Sequence, residues 1–431
     1  MTPSGRYEMH ELLRQYGETE LSETEAAQAR EAHGVYFAGL LSTHENSMDG
    51  ERPADALAEI AEEIENIQAG WDWAIQHRRV HEIKQSCYPL FRFYELRSWY
   101  HEGEAALDRA AEALSSLAPE KEQQRTLLML YNVVGVFCNR LSRYNKAIRV
   151  FEAGLSISLQ LNHRRSLHIL ANLATSHFMH GAYLEARQLL EETLAGFLEK
   201  DDRLNSSGAQ INLGFVLCQI GDYPTAHALL DQALKDFQDF VGRDEIALAH
   251  YFLGLVEQGE GDHEQAVISF RKGLAIYDEL SHSWGISLCL SGLASLAIQN
   301  GEYDQAADLA QEGLASARKV GDAYVTALCL NCMGQAASAL GHDSEARGYH
   351  LQAIQTAWET EQYPPVLDGL IGIAELELKG GQMKSAGELL AFAIQHPSTC
   401  AHERERAERL FTRLEPSTDA GSDPGRTKSA V

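Results

Sequence analysis

The chain has 431 residues, 45% hydrophobic and 23% charged, with a net charge of −26 from 62 acidic and 36 basic side chains. That balance argues against a nucleic-acid-binding surface, which needs clustered Lys and Arg to displace counterions; the acidity reads as solvated helix faces on a long exposed array. No run of about 18 apolar residues would span a membrane. The N-terminus lacks an apolar signal core, and the seven cysteines are odd in number and scattered, so a reducing cytoplasm is the expected location.

Near the start stands "RYEMHELLRQYG", Arg6 to Gly17, in which Met9-His10-Glu11 is followed by Leu12, Leu13, Arg14 and Tyr16. This phrase resembles the end of the winged-helix segment in STAND-type signalling ATPases, the bacterial regulators with an NB-ARC nucleotide switch. There a Met-His-Asp motif precedes Leu-x-Arg-x-Tyr, and its histidine reads the phosphate of bound ADP. The resemblance implies that role for His10, although Glu11 replaces the usual aspartate; the plainer alternative is that His10 only opens an amphipathic helix. No G-x-x-x-x-G-K-[ST] occurs, so no P-loop cradles a phosphate. On this resemblance residues 1–20 are a winged-helix remnant, and the chain is the sensor half of a split regulator or a truncated reading frame, with an ATPase or DNA-binding half supplied by another chain.

Residues 21–78 read as a helical linker. "SETEAAQAREAHGVYFAGLLSTHE" is an amphipathic helix capped by Ser22 or Thr24, with Glu25 in its first turn. In the next helical run Ile60, Ile64, Ile67, Trp71 and Ile75 share one stripe. The stretch from Glu65-Asn66-Ile67 to Trp73-Ala74 is similar to the linker joining switch to repeats in the same family.

From about residue 79 to 414 the chain repeats itself. Glycine recurs every 40 residues at Gly181, Gly221, Gly261, Gly301, Gly341 and Gly381, with alanine five positions later at Ala186, Ala226, Ala266, Ala306, Ala346 and Ala386. Twelve residues before each alanine is another small residue: Ala174, Gly214, Gly254, Ala294, Gly334 and Ala374. An earlier copy carries Gly135, Ser142 and Ala147, and a degenerate one has Gly103 and Leu107. The glycine ends a helix in the left-handed conformation. The two small columns let a pair of helices approach closely, and apolar positions at helical spacing surround them. Each unit is then a hairpin whose seam only its neighbours can cover.

These columns, seen as Gly254, Gly261, Ala266 and Phe270, resemble the tetratricopeptide repeat. The resemblance implies an all-α, right-handed superhelical solenoid of about eight long, 40-residue hairpins. Ala310 and His350 depart from its large apolar column, and HEAT and armadillo repeats compete on length alone. Residues 415–431, rich in Ser, Pro, Gly and Asp, are expected to be disordered.

Chemistry is sparse. Cys329-Leu330-Asn331-Cys332 has C-x-x-C spacing but no second pair to complete a zinc site, and it reads as core. "THENS" and "AHERE" begin H-E-x-x-H and lack its second histidine. No catalytic, metal or cofactor residues are assigned, and a non-catalytic binding module is the expectation.

The tetratricopeptide resemblance implies that the first helix of each unit lines a concave groove. Carried over by column, it gives Asn139, Arg140, Phe178, Phe215, Gln219, Tyr251, Gln258, Gln299, Asn331 and Gln335 as the binding face, with Phe215 and Tyr251 as half-exposed anchors and with charge kept off. Amides beside rings suit a protein or peptide segment, or a neutral polar small molecule. The expected function is the ligand- or protein-sensing arm of a STAND-type transcriptional regulator; the alternative is a free-standing scaffold for protein–protein interaction.

Overall fold

A computed structural model of the protein describes residue 17 and residues 20–48, 53–161, 166–237 and 243–414. His10 and its flanking motif, like the tail from residue 415, lie outside the described residues. Every regular element among the described residues is helical. Three helices come first: α1 (Glu23–Met48), α2 (Pro53–Glu62) and α3 (Ile64–Gln76). Eight hairpins follow: α4 (Val80–Leu96) with α5 (Tyr100–Ser115), α6 (Lys121–Arg140) with α7 (Tyr144–Gln160), α8 (Leu167–His180) with α9 (Tyr183–Glu199), and α10 (Arg203–Ile220) with α11 (Tyr223–Phe237). The remaining four pair α12 (Arg243–Glu260) with α13 (His263–Glu279), α14 (Ser283–Gln299) with α15 (Tyr303–Val320), α16 (Ala323–Ala339) with α17 (Asp343–Glu359), and α18 (Tyr363–Lys379) with α19 (Met383–Gln395). A last helix, α20 (Ala401–Phe411), belongs to no hairpin.

Local chemistry explains the boundaries. Ser22 and Glu25 form a reciprocal cap at the start of α1: the Glu25 amide donates to Ser22 Oγ (3.3 Å), and the Ser22 amide donates to Glu25 Oε2 (2.9 Å). The single stripe expected through Ile60 and Ile75 is broken at Glu63, where ψ turns to 9° and one helix becomes two. At the hairpin turns Gly181, Gly221, Gly261, Gly301, Gly341 and Gly381 all take positive φ, from 76° to 93°. In the earlier copy Ser142 adopts the same conformation (φ 55°), so the turn survives there despite a Cβ.

The column alanines Ala147, Ala186, Ala226, Ala266, Ala306, Ala346 and Ala386 are wholly inaccessible. The small column faces the large one inside each hairpin. A Cβ on Gly135, Gly214 or Gly254 would lie 2.5 to 2.7 Å from the side chain of Phe151, Leu230 or Phe270. His350 fills that place against Gly334 and Gly372 (2.7 and 2.3 Å for an added Cβ), so the aberrant column residue is accommodated by two glycines. Burial pushes its imidazole down to about 4, leaving it neutral, with Nδ1 3.1 Å from Asn331 Oδ1. Around Ala310 the space is shared by Ala294 and Cys332, with Met333 and Ile298 packed on them.

Contacts divide the chain into two compact units, one up to Asn172 and one from Leu173 onward, the cut falling inside α8. In the second unit successive first helices α10, α12, α14, α16 and α18 pack directly on each other as well as on their hairpin mates. They form one continuous row that carries most of the expected groove residues, and we term it the inner face. The seven cysteines are all buried and unpaired. Among the described residues, no helix is long and apolar enough to cross a membrane, and no three metal-ligating side chains gather.

Candidate functional site

In the first unit, Asn139 on α6 donates from Nδ2 to the Asn172 carbonyl (3.3 Å), while the exposed Arg140 lies 3.6 Å from Glu95. The other eight expected residues belong to the second unit. Phe178 on α8 meets Phe215 on α10 edge to face at 5.4 Å, and Phe215 lies 4.7 Å from Phe252 on α12. Here an expectation fails. Phe215 is only 7% exposed and Tyr251 only 4%, so neither is a half-exposed anchor. The reason is packing between hairpins: Phe215 fills the gap between two first helices, and Tyr251 sits 5.7 Å from Phe270 and 5.6 Å from Phe252. Burial pushes the Tyr251 phenol well above its ordinary value.

The amides form bridges from one first helix to the next. Gln258 donates to Ser295 Oγ (3.1 Å). Asn331, fully buried, donates to the Pro365 carbonyl (2.9 Å). Gln335 donates to both Asp368 oxygens (3.2 and 3.4 Å). Gln219 is half-buried near the end of α10, and Gln299 is exposed at the end of α14. The Gln299 amide reaches His402 Nε2 at 2.6 Å; His402 belongs to α20, 103 residues further along the chain. Burial, and then the charges of Arg406 and Arg409, push His402 down to about 4. Its ring is therefore neutral and able to accept.

A second expectation also fails: charge is not kept off this face. Arg406 of α20 stands between Asp368 (2.8 Å) and Glu375 (2.9 Å) of α18, with 15% of its side chain exposed. Burial alone would lower the Arg406 pKa, but the two carboxylates more than offset it. Against the same burial, the guanidinium holds Glu375 below its usual range. Glu403 accepts from the Cys400 amide (3.4 Å) and feels the Arg406 charge only weakly against its burial. Burial first, and then the Asp368 charge, push it up to about 8. Sequence columns could not find these groups, because α20 lies outside the repeat pattern.

The start of α18 and the stretch that leads into α20 both lie against the turns of hairpins far earlier in the chain. His180 Nδ1 is 2.9 Å from the Glu361 carbonyl, and its ring meets Tyr363 at 4.8 Å. A Cβ on Gly181 would lie 2.5 Å from Ser398 Cβ, so glycine is needed there for space as well as for φ. A Cβ on Gly221 would lie 3.2 Å from that of Ala401.

Residues 125–199 and 206–279 match the family model described as "Tetratricopeptide repeat". Those residues thus carry tetratricopeptide repeats, within a solenoid of helix hairpins. Among solved structures it is similar to a Rap protein complexed with Competence and Sporulation Factor (TM-score 0.60, 13% identity, 89% of this chain and 100% of that one). It is also similar to the apo quorum sensor NprR from B. thuringiensis (TM-score 0.54, 13% identity, 90% and 99%) and to NprR in complex with its cognate peptide NprX (TM-score 0.54, 14% identity, 84% and 95%). At these identities the likeness shows the fold. No curated protein matches the chain in sequence.

Proposed function

We propose that the chain is a non-catalytic module that binds a peptide or a protein segment on the inner face of its second unit. The observation that carries this reading is the row of side-chain amides on successive first helices, Gln258, Gln299, Asn331 and Gln335, the last of which bonds to Asp368, itself paired with Arg406. Such groups pair with the backbone and polar side chains of a bound segment. The complexes of Rap with Competence and Sporulation Factor and of NprR with NprX support the same use of this fold. The buried carboxylates favour a segment with a basic residue over the neutral small molecule that the amides alone suggested. The test is a thermal-shift screen of short peptides, since a ligand of the folded array raises its melting temperature by mass action. A library without a single stabilising peptide would sink the reading.

The finer reading is a sensing arm of a cytoplasmic STAND-type regulator. It rests on the likeness of Met9-His10-Glu11 and its flanking residues to that family's motif. Its test is co-purification of the chain with a P-loop ATPase encoded beside it, in a peptide-dependent manner.

A further inference from the structure

Resting on the peptide-binding reading, we propose that the site is occupied by the chain itself: Ser398–Arg406 lies where an external segment would lie, and a ligand binds by displacing it. In an array of hairpins each unit touches only its neighbours, and nothing in that scheme requires the last helix to reach α10 and α14. Yet Ser398 is buried at the Gly181 turn, Ala401 sits at the Gly221 turn, and His402 meets Gln299.

The two halves of α20 are held differently. Its second half is apolar glue: Ala407 and Leu410 are buried in a cluster with Leu367, Ile371 and Leu390 of the final hairpin. Its first half adds polar contacts, through His402 on Gln299 and Arg406 on Asp368 and Glu375, beside the small Cys400 side chain that caps it and is buried in the core of the unit. The Arg406 pairs are largely buried, so the carboxylates do not give them up to water, but a competitor that brings its own cation can take them over at little net cost. Glu403, a carboxyl that keeps its proton to about pH 8 in this position, weakens the hold further at neutral pH. The first half of α20 can therefore leave while the second stays anchored.

The occupant also specifies its competitor. Asp368 and Glu375 together receive one guanidinium, Gln299 receives one neutral acceptor, and the Gly181 turn admits only small side chains. A displacing ligand is a short peptide that carries an arginine or lysine, preceded by small residues.

The test uses the full chain and, as probe, a fluorescent synthetic peptide with the sequence of residues 397–406. The wild-type chain should bind it weakly, because the tethered copy competes at high effective concentration. Arg406→Glu, which turns a carboxylate toward Asp368 and Glu375, should bind the probe at least ~10-fold more tightly. In the same variant, amide exchange across 398–406 should quicken by about the same factor while α10 and α14 stay protected. A probe with glutamate in place of that arginine should not bind. Ala401→Arg, which adds bulk against the Gly221 turn, should reproduce the release by an independent route. Release without a gain in probe affinity, or α10 and α14 losing protection together with the segment in both variants, would overturn the proposal. An external peptide that binds wild type while 398–406 stays protected would refute self-occupation and leave the peptide-binding reading intact. Release and rebinding as described, with no external ligand found, would do the reverse.

Discussion

Along α8, α10 and α12 the inner face of the second unit is closed by rings, with Phe178, Phe215 and Phe252 in contact and Tyr251 packed behind them. Along α14, α16 and α18 the same face is closed by amides, carboxylates and one guanidinium, through Gln299, Asn331, Gln335, Asp368, Glu375 and Arg406. Both stretches are built from successive first helices; the side chains between them differ. Rings interlock by shape and lose their stabilisation when pulled apart. Hydrogen-bonding groups can change partners at little cost, provided each finds another. The aromatic stretch is thus suited to hold the unit rigid, and the polar stretch to exchange one occupant for another.

Substitutions can break that contrast. The largest effect is expected in the aromatic stretch: Phe215→Ala should cost about 3–5 kcal/mol of stability by leaving a cavity between first helices. Chemical denaturation would measure it, and a change within error would return Phe215 to the role of an exposed anchor. Next comes Asn331→Ala, which strips a buried carbonyl of its donor and His350 of its partner, at a cost of about 1–3 kcal/mol. Should Asn331→Ala prove more damaging than Phe215→Ala, the division of labour between the two stretches would be wrong.

A pH titration sharpens the comparison. Glu403 is raised from 4.5 to about 8 in the docked segment, so docking takes up a proton at pH values between the two. Its contribution is fully present below about pH 4.5 and is lost as pH rises through about 8. The charged groups acting on it are Asp368 on α18 and Arg406 on its own helix, with Cys400 and the Tyr183 phenol of α9 close by. Glu375, held low by Arg406, acts in the opposite sense and only in the acid range. Amide exchange of 398–406 should therefore accelerate from pH 6 to 9 and flatten in Glu403→Gln, while the aromatic stretch shows no such dependence beyond the intrinsic rate. The smallest effect is Gln299→Ala: the residue is exposed, and stability should fall by less than about 1 kcal/mol. Exchange of the His402 region should nonetheless rise measurably.

The hairpins were legible in the sequence because the Gly and Ala columns are local. A turn that needs positive φ and a helix pair that needs small side chains must write those residues at fixed spacing, as at Gly254, Gly261 and Ala266. The inner face was legible only in part. Its columns were found, but the exposure of Phe215 and Tyr251 depends on the neighbouring hairpin, which the pattern of one unit does not encode. The charges of Asp368, Glu375, Glu403 and Arg406 were missed because they meet through α20, a helix without a repeat partner. One trace was present: Ser398, Ala401 and the small residues around them follow Pro397, where the apolar periodicity stops.

The approach of Ser398 to Gly181 also bears on how the second unit melts. A stack of hairpins in which only neighbours touch can fray from either end, one hairpin at a time. Here residues more than 200 positions apart are in contact, and loosening the first hairpin of the unit removes support from the last. Such a clasp ties the two ends to one fate, which favours a single sharp transition over progressive fraying. It also fixes the number of hairpins the unit can hold, because inserting one more between α10 and α18 would carry Ser398 past the turn that receives it.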